Sequence, residues 1–260
     1  MKKLLLLLFV PVLLSACTGR KDDPVPETKP DTPVTPSGGE EEGKVFFRRA
    51  LAMDFTADWC QYCPQMAKAL KEAQQLRPGR IVDMSVHVND NLALEQANDL
   101  VSMFGIDGLP SLVFDMDKAT LFNVQKSSRF TSYVDKMSSQ EACGIAISWK
   151  NGKVDVKVKT AVAGTYKLAV AVVEDKIITN QTGYGSNYEN DSVVRSFLSS
   201  KVDGDSLGSL KAGEEVNKTF SQAAADNQRI VAYVLKGGKC VNAVTCKVNE
   251  QIAYTYEEDK

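Results

Sequence analysis

The chain has 260 residues, of which 31 are lysine or arginine and 33 are aspartate or glutamate, and its net charge is −2. This balance lacks the basic footprint of nucleic-acid-binding proteins, so we expect no nucleic-acid partner. After an N-terminal stretch of biased composition, about 215 residues remain, which is enough for two domains of about 100 residues each.

The first residues predict export and lipid attachment. Two lysines precede the apolar stretch Leu4 to Leu14, which is too short to span a membrane and is typical of a signal peptide. Leu14-Ser15-Ala16-Cys17 follows and resembles the lipobox of bacterial lipoproteins, which implies a signal peptide over residues 1–16 and a lipid on Cys17. An ordinary secretory signal with an incidental cysteine is the alternative. Acylation of Cys17 would anchor the chain to a membrane without embedding it.

Residues 17–43 predict a lipidated, disordered tether. Five prolines alternate there with charged residues and threonine, and the run Ser37-Gly38-Gly39-Glu40-Glu41-Glu42 closes the segment. Few of its side chains are apolar, so burial could not offset the conformational entropy that the segment would lose on folding. Arg20-Lys21-Asp22-Asp23 resembles the surface-export tag of lipoproteins in some Gram-negative groups, and a solvated charge run is the alternative. We expect an outer-membrane lipoprotein of a Gram-negative bacterium, on either the periplasmic or the surface face.

Residues 44–140 alternate between strand-like and helix-like patterns, which predicts a sheet flanked by helices. Pro78-Gly79 and Gly105 are expected to end the first two helices. The predicted elements are strand Ala50–Phe55, helix Cys60–Leu76, strand Ile81–Val88, helix Leu92–Phe104, strands Pro110–Phe114 and Thr120–Val124 as an antiparallel pair, and a helix near Ser128–Met137.

The pair Cys60 and Cys63 carries the chemistry of this segment. It follows a strand and opens a helix, whose N-terminal N–H groups lower a thiol pKa and favour the reactive thiolate. Two intervening residues let the second sulfur reach the first, so the pair can cycle between dithiol and disulfide. Half of a zinc site and an inert local disulfide are the alternatives, although zinc commonly needs a second Cys/His pair. His87, the only histidine, is expected to be structural rather than a general base. We expect no metal and no cofactor.

The strand and turn around this pair resemble the thioredoxin fold family. The matching residues are Asp54-Phe55-x-Ala57-x-Trp59-Cys60-x-x-Cys63. The resemblance implies that Cys60 is the nucleophile, that Cys63 is the resolving thiol and that Asp54 is a buried acid relaying its proton. An edge or capped acid is the alternative for Asp54. Trp59 is implied to pack over the disulfide, and a simple core aromatic is the alternative.

A second segment, Phe104 to Phe114, resembles the part of that family that carries a cis-proline facing the disulfide. The resemblance implies a cis bond before Pro110, which exposes backbone next to Cys60 so that a substrate segment can pair there as a strand. A trans proline opening an edge strand is the alternative. Leu109 departs from the smaller or β-branched residue often found before this proline, which leaves the substrate preference open.

Residues 141–254 change to an all-β pattern. Asn151-Gly152 separates two alternating runs and predicts a hairpin, because both turn residues need positive φ. The predicted fold is an α/β thioredoxin-like domain followed by an all-β immunoglobulin-like sandwich. The other predicted elements are strands Tyr166–Val173, Gln228–Leu235 and Cys240–Val248, a polar loop Thr179–Asp191, and a tail over residues 255–260.

This second half contains four short motifs: Val173-Glu174-Asp175, Asn180-Gln181, Val193-Val194-Arg195 and Val241-Asn242-Ala243. Together they resemble the outer membrane protein twenty-eight family, lipoproteins with a thioredoxin-like front and a β-sandwich rear. In that family a histidine often precedes the Val-Val-Arg stretch, and here Tyr188-Glu189-Asn190 stands instead.

Three cysteines lie outside these motifs. An oxidising compartment is compatible with one disulfide among them, which would join Cys143 to Cys240 or Cys246 and leave one thiol free. Cys240 and Cys246 would lie about 20 Å apart on one strand, too far for a bridge. Buried inert thiols are the alternative.

Two functions are compatible with the sequence. The first is a membrane-anchored thiol–disulfide oxidoreductase that acts on protein thiols and disulfides through Cys60 and Cys63, with an unidentified redox partner. The second is a surface binding or adhesion lipoprotein in which the disulfide is structural. Gln61-Tyr62 between the cysteines does not reveal the direction of electron flow.

Overall fold

The apolar strands around the cysteine pair lie toward one end of a large mixed sheet. The computed structural model describes residues 43–260, which make one compact unit. Its elements are β1 Ala50–Thr56, α1 Cys63–Leu76, β2 Ile81–His87, α2 Ala97–Phe104, β3 Ser111–Phe114, α3 Ser127–Val134, β4 Gly144–Lys150, β5 Lys153–Lys159, β6 Gly164–Glu174, β7 Ile177–Gln181, β8 Gly185–Asn190, β9 Val193–Phe197, β10 Asp205–Leu210, β11 Glu215–Ser221, β12 Gln228–Lys236, β13 Lys239–Lys247 and β14 Gln251–Ile252.

The predictions for the N-terminal 42 residues lie outside the described part of the chain. They are the signal peptide, the lipidated Cys17, the export tag and the tether. Within residues 43–260, no helix is long and apolar enough to cross a membrane.

One sheet joins strands from both halves of the chain. Its order is β13-β12-β6-β9-β2-β1-β3, with β10 paired to β6. β1 and β2 are parallel and β3 is antiparallel to β1. The junction is a parallel pairing of β2 with β9, where Ser85 lies opposite Val193 and the Ser85 N–H donates to the Ser192 carbonyl at 2.7 Å. The domain boundary near residue 140 stays a prediction, since the sheet runs across it.

Both faces of β6, β12 and β13 are buried. A strand buried on both faces reads as a continuous apolar run rather than an alternating one. One face packs on the four-stranded sheet β11-β5-β4-β14 and forms the predicted sandwich, while the other continues the core of β1, β2 and α2. Along β6 the first face carries Tyr166, Leu168, Val170 and Val172, and the second carries Ala169, Ala171 and Val173.

Helices α1 and α3 cover the outer face of β1 and β3. Met66, Leu70 and Ala73 of α1 are buried, as predicted, together with Phe130 of α3. The helix begins at Cys63 instead of Cys60, because residues 60–62 form a turn and Pro64 occupies the first helical turn, where its missing N–H is not needed.

Two further elements are shorter than predicted. α2 starts at Ala97 rather than Leu92, since residues 91–96 contain only turns, and it ends at Gly105 with φ of 63° as expected. The predicted strand Thr120–Val124 makes a single bridge, between Phe122 and Leu112. A 3₁₀ turn capped by the Asp117 side chain takes up residues 118–120 and delays the pairing.

The largest difference is the segment Thr179–Asp191, which was predicted to be a polar loop. It forms the greater part of an antiparallel hairpin of β7 and β8. Two of its polar residues, Gln181 and Asn190, are buried and make side-chain hydrogen bonds. These hydrogen bonds, rather than an apolar face, hold the hairpin in place.

Of the two alternatives for the remaining three cysteines, the structure shows buried thiols rather than a disulfide. Cys143, Cys240 and Cys246 are free and buried. Cys240 lies in the core shared with β1 and β2, whereas Cys143 and Cys246 lie in the sandwich core. Burial raises the pKa of Cys143 to about 12 and that of Cys246 to about 11, so these thiols are inert near neutral pH.

Asn242 on β13 joins the second half to the segment before β1. Its buried amide donates to the carbonyls of Phe47 and Cys143 at 3.1 and 2.8 Å and accepts from the Arg49 N–H at 2.9 Å. Asn242→Ala leaves these backbone groups without that partner, so we expect a loss of about 3 kcal/mol in the free energy of unfolding, measured by urea denaturation. Asn217→Ala, at an exposed strand position, is the control and should change it by under about 0.5 kcal/mol. Equal losses would contradict the assigned role.

Candidate redox site

The two cysteines sit where the chain leaves β1 and enters α1. They form a disulfide with Cα atoms 5.5 Å apart. Two consecutive turns build this arrangement: the Cys60 N–H donates to the Ala57 carbonyl at 3.1 Å, and the Cys63 N–H donates to the Cys60 carbonyl at 3.3 Å. Cys63 is the first residue of α1, so the N-terminal end of the helix, which carries the positive end of the helix dipole, lies at the disulfide. Cys60 is 5% exposed.

Asp54 is buried on the side of β1 that faces α1. Side chains alternate along a strand, and Ala50 and Ala52 pack with α1 and α3 while Met53 and Phe55 enter the opposite core. Asp54 is 2% exposed, and its buried Oδ1 has no hydrogen-bond partner. Burial, with a smaller contribution from the Asp83 carboxylate, raises the pKa of Asp54 to about 8. The alternative considered from the sequence, that Asp54 is an edge or capped acid, is therefore wrong.

A groove gives Asp54 access to solvent. It has a volume of about 850 Å³ and lies between α1 and the β7–β8 hairpin. Burial and the Asp54 carboxylate together raise the pKa of Tyr188, on the hairpin side, to about 12. Asp54 and Tyr188 thus line the same groove. Residues lining the groove include Asp54, Pro64, Lys68, Tyr184, Tyr188 and Arg229.

The Leu109–Pro110 bond is cis, which confirms the conformation predicted for this proline. Leu109 packs against the cluster of Ala57, Cys60 and Cys63. Directly after Pro110, β3 pairs antiparallel with β1, with Ser111 opposite Phe55. The bend before β3 thus places Leu109 at the disulfide; its role in holding substrate stays a prediction.

Trp59 lies on the surface rather than in the core. It is 51% exposed, and its indole N–H donates to the Asn89 carbonyl at 3.1 Å. The alternative of a core aromatic is therefore wrong. Tyr62, between the cysteines, is also exposed.

His87 is part of the support for the turn. Its Nδ1 lies 2.6 Å from the Asp90 carboxylate, and both side chains are buried. Asp90 also accepts from the Asp58 and Leu92 N–H groups at 2.9 Å. Burial alone would raise the pKa of Asp90, but the bonds from His87 and these N–H groups outweigh it and lower the pKa. The His87–Asp90 pair holds the residue that precedes Trp59, as a structural histidine would.

The β7–β8 hairpin contributes to the site in a way that was not predicted from the sequence. The Gln181 amide donates to the carbonyls of Ala57 and Cys60 at 3.1 and 2.8 Å, and the Thr182 N–H donates to the Asp58 carbonyl at 2.8 Å. The available signal was Asn180-Gln181, which was noted as a family motif. Its role was hidden because the surrounding residues read as a solvated loop.

The fold and this site define a thioredoxin-fold protein extended by a β-rich second half. The thioredoxin family model matches residues 45–139. The model described as Outer membrane protein Omp28 matches residues 97–252, more than half of the chain. The protein therefore belongs to the Omp28 family, which confirms the resemblance predicted from its motifs.

Two solved structures share the fold over most of the chain. HBP35 of Porphyromonas gingivalis matches with a TM-score of 0.67 and 18% identity, over 82% of this chain and 78% of that one. Protein AGR_C_4864 from Agrobacterium tumefaciens matches with a TM-score of 0.58 and 14% identity, over 77% of this chain and 95% of that one. At these identities the similarity concerns the fold alone. No curated protein matches the chain significantly.

Proposed function

We propose that this protein is a membrane-anchored, extracytoplasmic oxidoreductase that exchanges disulfides of protein substrates through Cys60 and Cys63. The observation that carries the proposal is Asp54, a buried carboxyl without a hydrogen-bond partner on one oxygen and with a pKa of about 8. Burying such a group costs stability, and a purely structural disulfide has no use for it. A proton relay at neutral pH does need an acid with this pKa.

In this proposal the reaction takes place in three steps. The Cys60 thiolate attacks one sulfur of a substrate disulfide, which forms a mixed disulfide and releases one substrate thiolate. Asp54, in its carboxylate form, takes the proton of the Cys63 thiol. The Cys63 thiolate attacks the Cys60 sulfur, which closes the Cys60–Cys63 disulfide and releases the second substrate thiolate. Two electrons pass to the substrate, and the reverse sequence oxidises it.

Leu109 and Pro110 supply the substrate-binding edge in this proposal. Leu109 packs against the cluster that contains both cysteines, so a chain bound beside it would lie near Cys60. An extended segment carrying a cysteine could pair with the backbone there and present its sulfur, as in other recognition by strand addition.

The place of action follows from the family and the N-terminal sequence. Membership of the Omp28 family indicates the outer membrane. We propose that lipidated Cys17 anchors the protein there and that the tether lets the redox site reach substrates near the membrane.

The proposal is tested by equilibrating the purified protein in glutathione or dithiothreitol buffers and labelling free thiols. We expect Cys60 and Cys63 to titrate together. A midpoint at or below about −250 mV indicates a reductase, and one of about −200 to −120 mV indicates an oxidase or isomerase. Cys143, Cys240 and Cys246, buried as free thiols, should give no redox-dependent labelling and serve as an internal control. A pair that never exchanges in the folded protein would contradict the proposal.

The near-complete burial of Cys60 favours the second candidate, a binding lipoprotein with a structural disulfide. In that case the β-rich half would recognise the partner. Full partner binding by a protein whose Cys60–Cys63 pair does not exchange would support this function over the first.

A further inference from the structure

The β7–β8 hairpin is held as a defined unit beside the redox site. It leaves the large sheet after β6 and returns to it at β9. At its base, the Arg229 guanidinium donates to the Asp175 carboxylate at 3.0 Å. Within the hairpin, the Asn190 amide donates to the Ile177 carbonyl at 3.1 Å and to the Thr179 hydroxyl at 2.9 Å. The hairpin therefore has its own internal support, separate from its contact with the cysteines.

Gln181 connects this hairpin to both turns that carry the cysteines. Its side chain is 2% exposed, and its Nε2 donates to the Ala57 and Cys60 carbonyls. The Ala57 carbonyl also accepts a hydrogen bond from the Cys60 N–H, and the Cys60 carbonyl also accepts one from the Cys63 N–H. The side-chain amide of Gln181 thus hydrogen-bonds to both of the consecutive turns that end at the two cysteines.

Neighbouring contacts restrain the same backbone from two sides. On the hairpin side, the Thr182 N–H donates to the Asp58 carbonyl, and Gly183 lies so close to Gln61 that an added Cβ would be 3.2 Å from its Cγ. On the other side, the Asp90 carboxylate accepts the Asp58 N–H. The turn before Cys60 is therefore held by groups that lie far away in sequence.

We propose that Gln181 is a positioning residue of the redox site, which holds the Cys60 turn in the geometry needed for attack by Cys63. The inference rests on the proposed function. Resolution of a mixed disulfide requires the second sulfur to approach the first closely, and small displacements of reacting atoms reduce rates strongly. A primary amide suits the task because it supplies two N–H donors on one nitrogen, which a carboxylate or a thioether cannot do.

The test compares Gln181→Met with Asn190→Ala. Methionine keeps the length of the side chain but has no donor for the two carbonyls. Asn190→Ala removes hydrogen bonds inside the same hairpin without touching the cysteine turns. We expect Gln181→Met to lower kcat/KM for insulin-disulfide reduction by about tenfold or more and to lengthen the lifetime of the mixed disulfide with Cys60. Asn190→Ala should stay within about twofold of the wild-type rate.

Amide hydrogen exchange of the oxidised proteins supplies a second measurement that does not depend on turnover. The Cys60 and Cys63 N–H groups should exchange faster in Gln181→Met than in wild type and Asn190→Ala, and Gln181→Ala should repeat the result if the methionine variant folds poorly. Equal slowing by both variants would overturn the inference, because the hairpin as a whole would then matter. A wild-type rate in Gln181→Met would also overturn it. A wild-type protein that exchanges no disulfides would instead refute the proposed function, and this inference with it.

Discussion

Cys60→Ser is expected to abolish disulfide reduction, lowering the rate by at least about 10³-fold, because a serine hydroxyl is not ionised near neutral pH and cannot form the mixed disulfide. The measurement is insulin reduction in the presence of dithiothreitol, with the uncatalysed rate subtracted. The fold should survive, since the disulfide closes only a short loop between β1 and α1.

Two matched variants sharpen this result. Cys63→Ser keeps the nucleophile but removes the resolving thiol, so it should accumulate a covalent complex between Cys60 and substrate, visible on a non-reducing gel. Cys246→Ser controls for loss of a thiol, because the hydroxyl can reach the Lys247 and Glu250 carbonyls that the sulfur now faces. Substantial activity in Cys60→Ser, or a complex formed through Cys63 alone, would contradict the assignment of the nucleophile.

Local patterns were enough to predict the elements that carry the chemistry. The apolar run predicted β1 and the pattern after it placed the cysteine pair at the start of a helix, while the family resemblance implied that Asp54 is buried. The structure shows all three. The Asn151-Gly152 hairpin was also predictable, because its two positive φ angles, 53° and 72°, are what that dipeptide favours. In each case the residues that determine the conformation are close together in sequence.

Long-range pairing was not predictable in the same way. Gln181 binds carbonyls 121 and 124 residues away, and nothing in a polar segment specifies which distant backbone it will meet. The apolar run of β6 predicts that both faces of the strand are buried. It does not reveal that one face completes the core of β1 and β2. The continuous sheet and the hairpin contact with Cys60 therefore required the structure.

The family motifs of the second half now have a physical explanation. Asp175 holds Arg229 at the groove, Gln181 binds the cysteine turns, and Asn242 binds the segment before β1. Val193 lies at the pairing of β9 with β2. The motifs that contain Gln181, Val193 and Asn242 thus mark places where the second half contacts the thioredoxin-like part. We infer that the two halves act as one structural unit around the disulfide.

Asp54→Asn is expected to stabilise the protein at high pH. In the unfolded chain Asp54 ionises near pH 4, but in the folded protein burial delays ionisation until about pH 8. The folded state therefore binds more protons in this window, and wild-type stability falls as the pH rises from about 4 to about 8. A pKa raised by this amount corresponds to about 5 kcal/mol. Asparagine does not ionise and avoids this loss.

Urea denaturation of the oxidised proteins at several pH values measures the effect. The cost of burying the asparagine amide is the same at every pH, so the informative quantity is the change in the stability difference between variant and wild type. This difference should shift in favour of the variant by several kcal/mol between pH 4 and pH 9, of the order of the linkage value of about 5 kcal/mol. Asp107→Asn, at an exposed position, should show no such trend. A flat difference for Asp54→Asn would mean that the buried carboxyl is not protonated at neutral pH.

The same variant separates a structural acid from a proton relay. If Asp54 takes the proton of Cys63, Asp54→Asn should slow disulfide exchange by about 10²-fold and remove the part of the pH–rate profile that titrates near pH 8. A variant that is more stable and equally active would show that the carboxyl is buried without a role in exchange. A variant that is more stable but slow, with an altered pH profile, would show that stability is given up at this position for proton transfer at the disulfide.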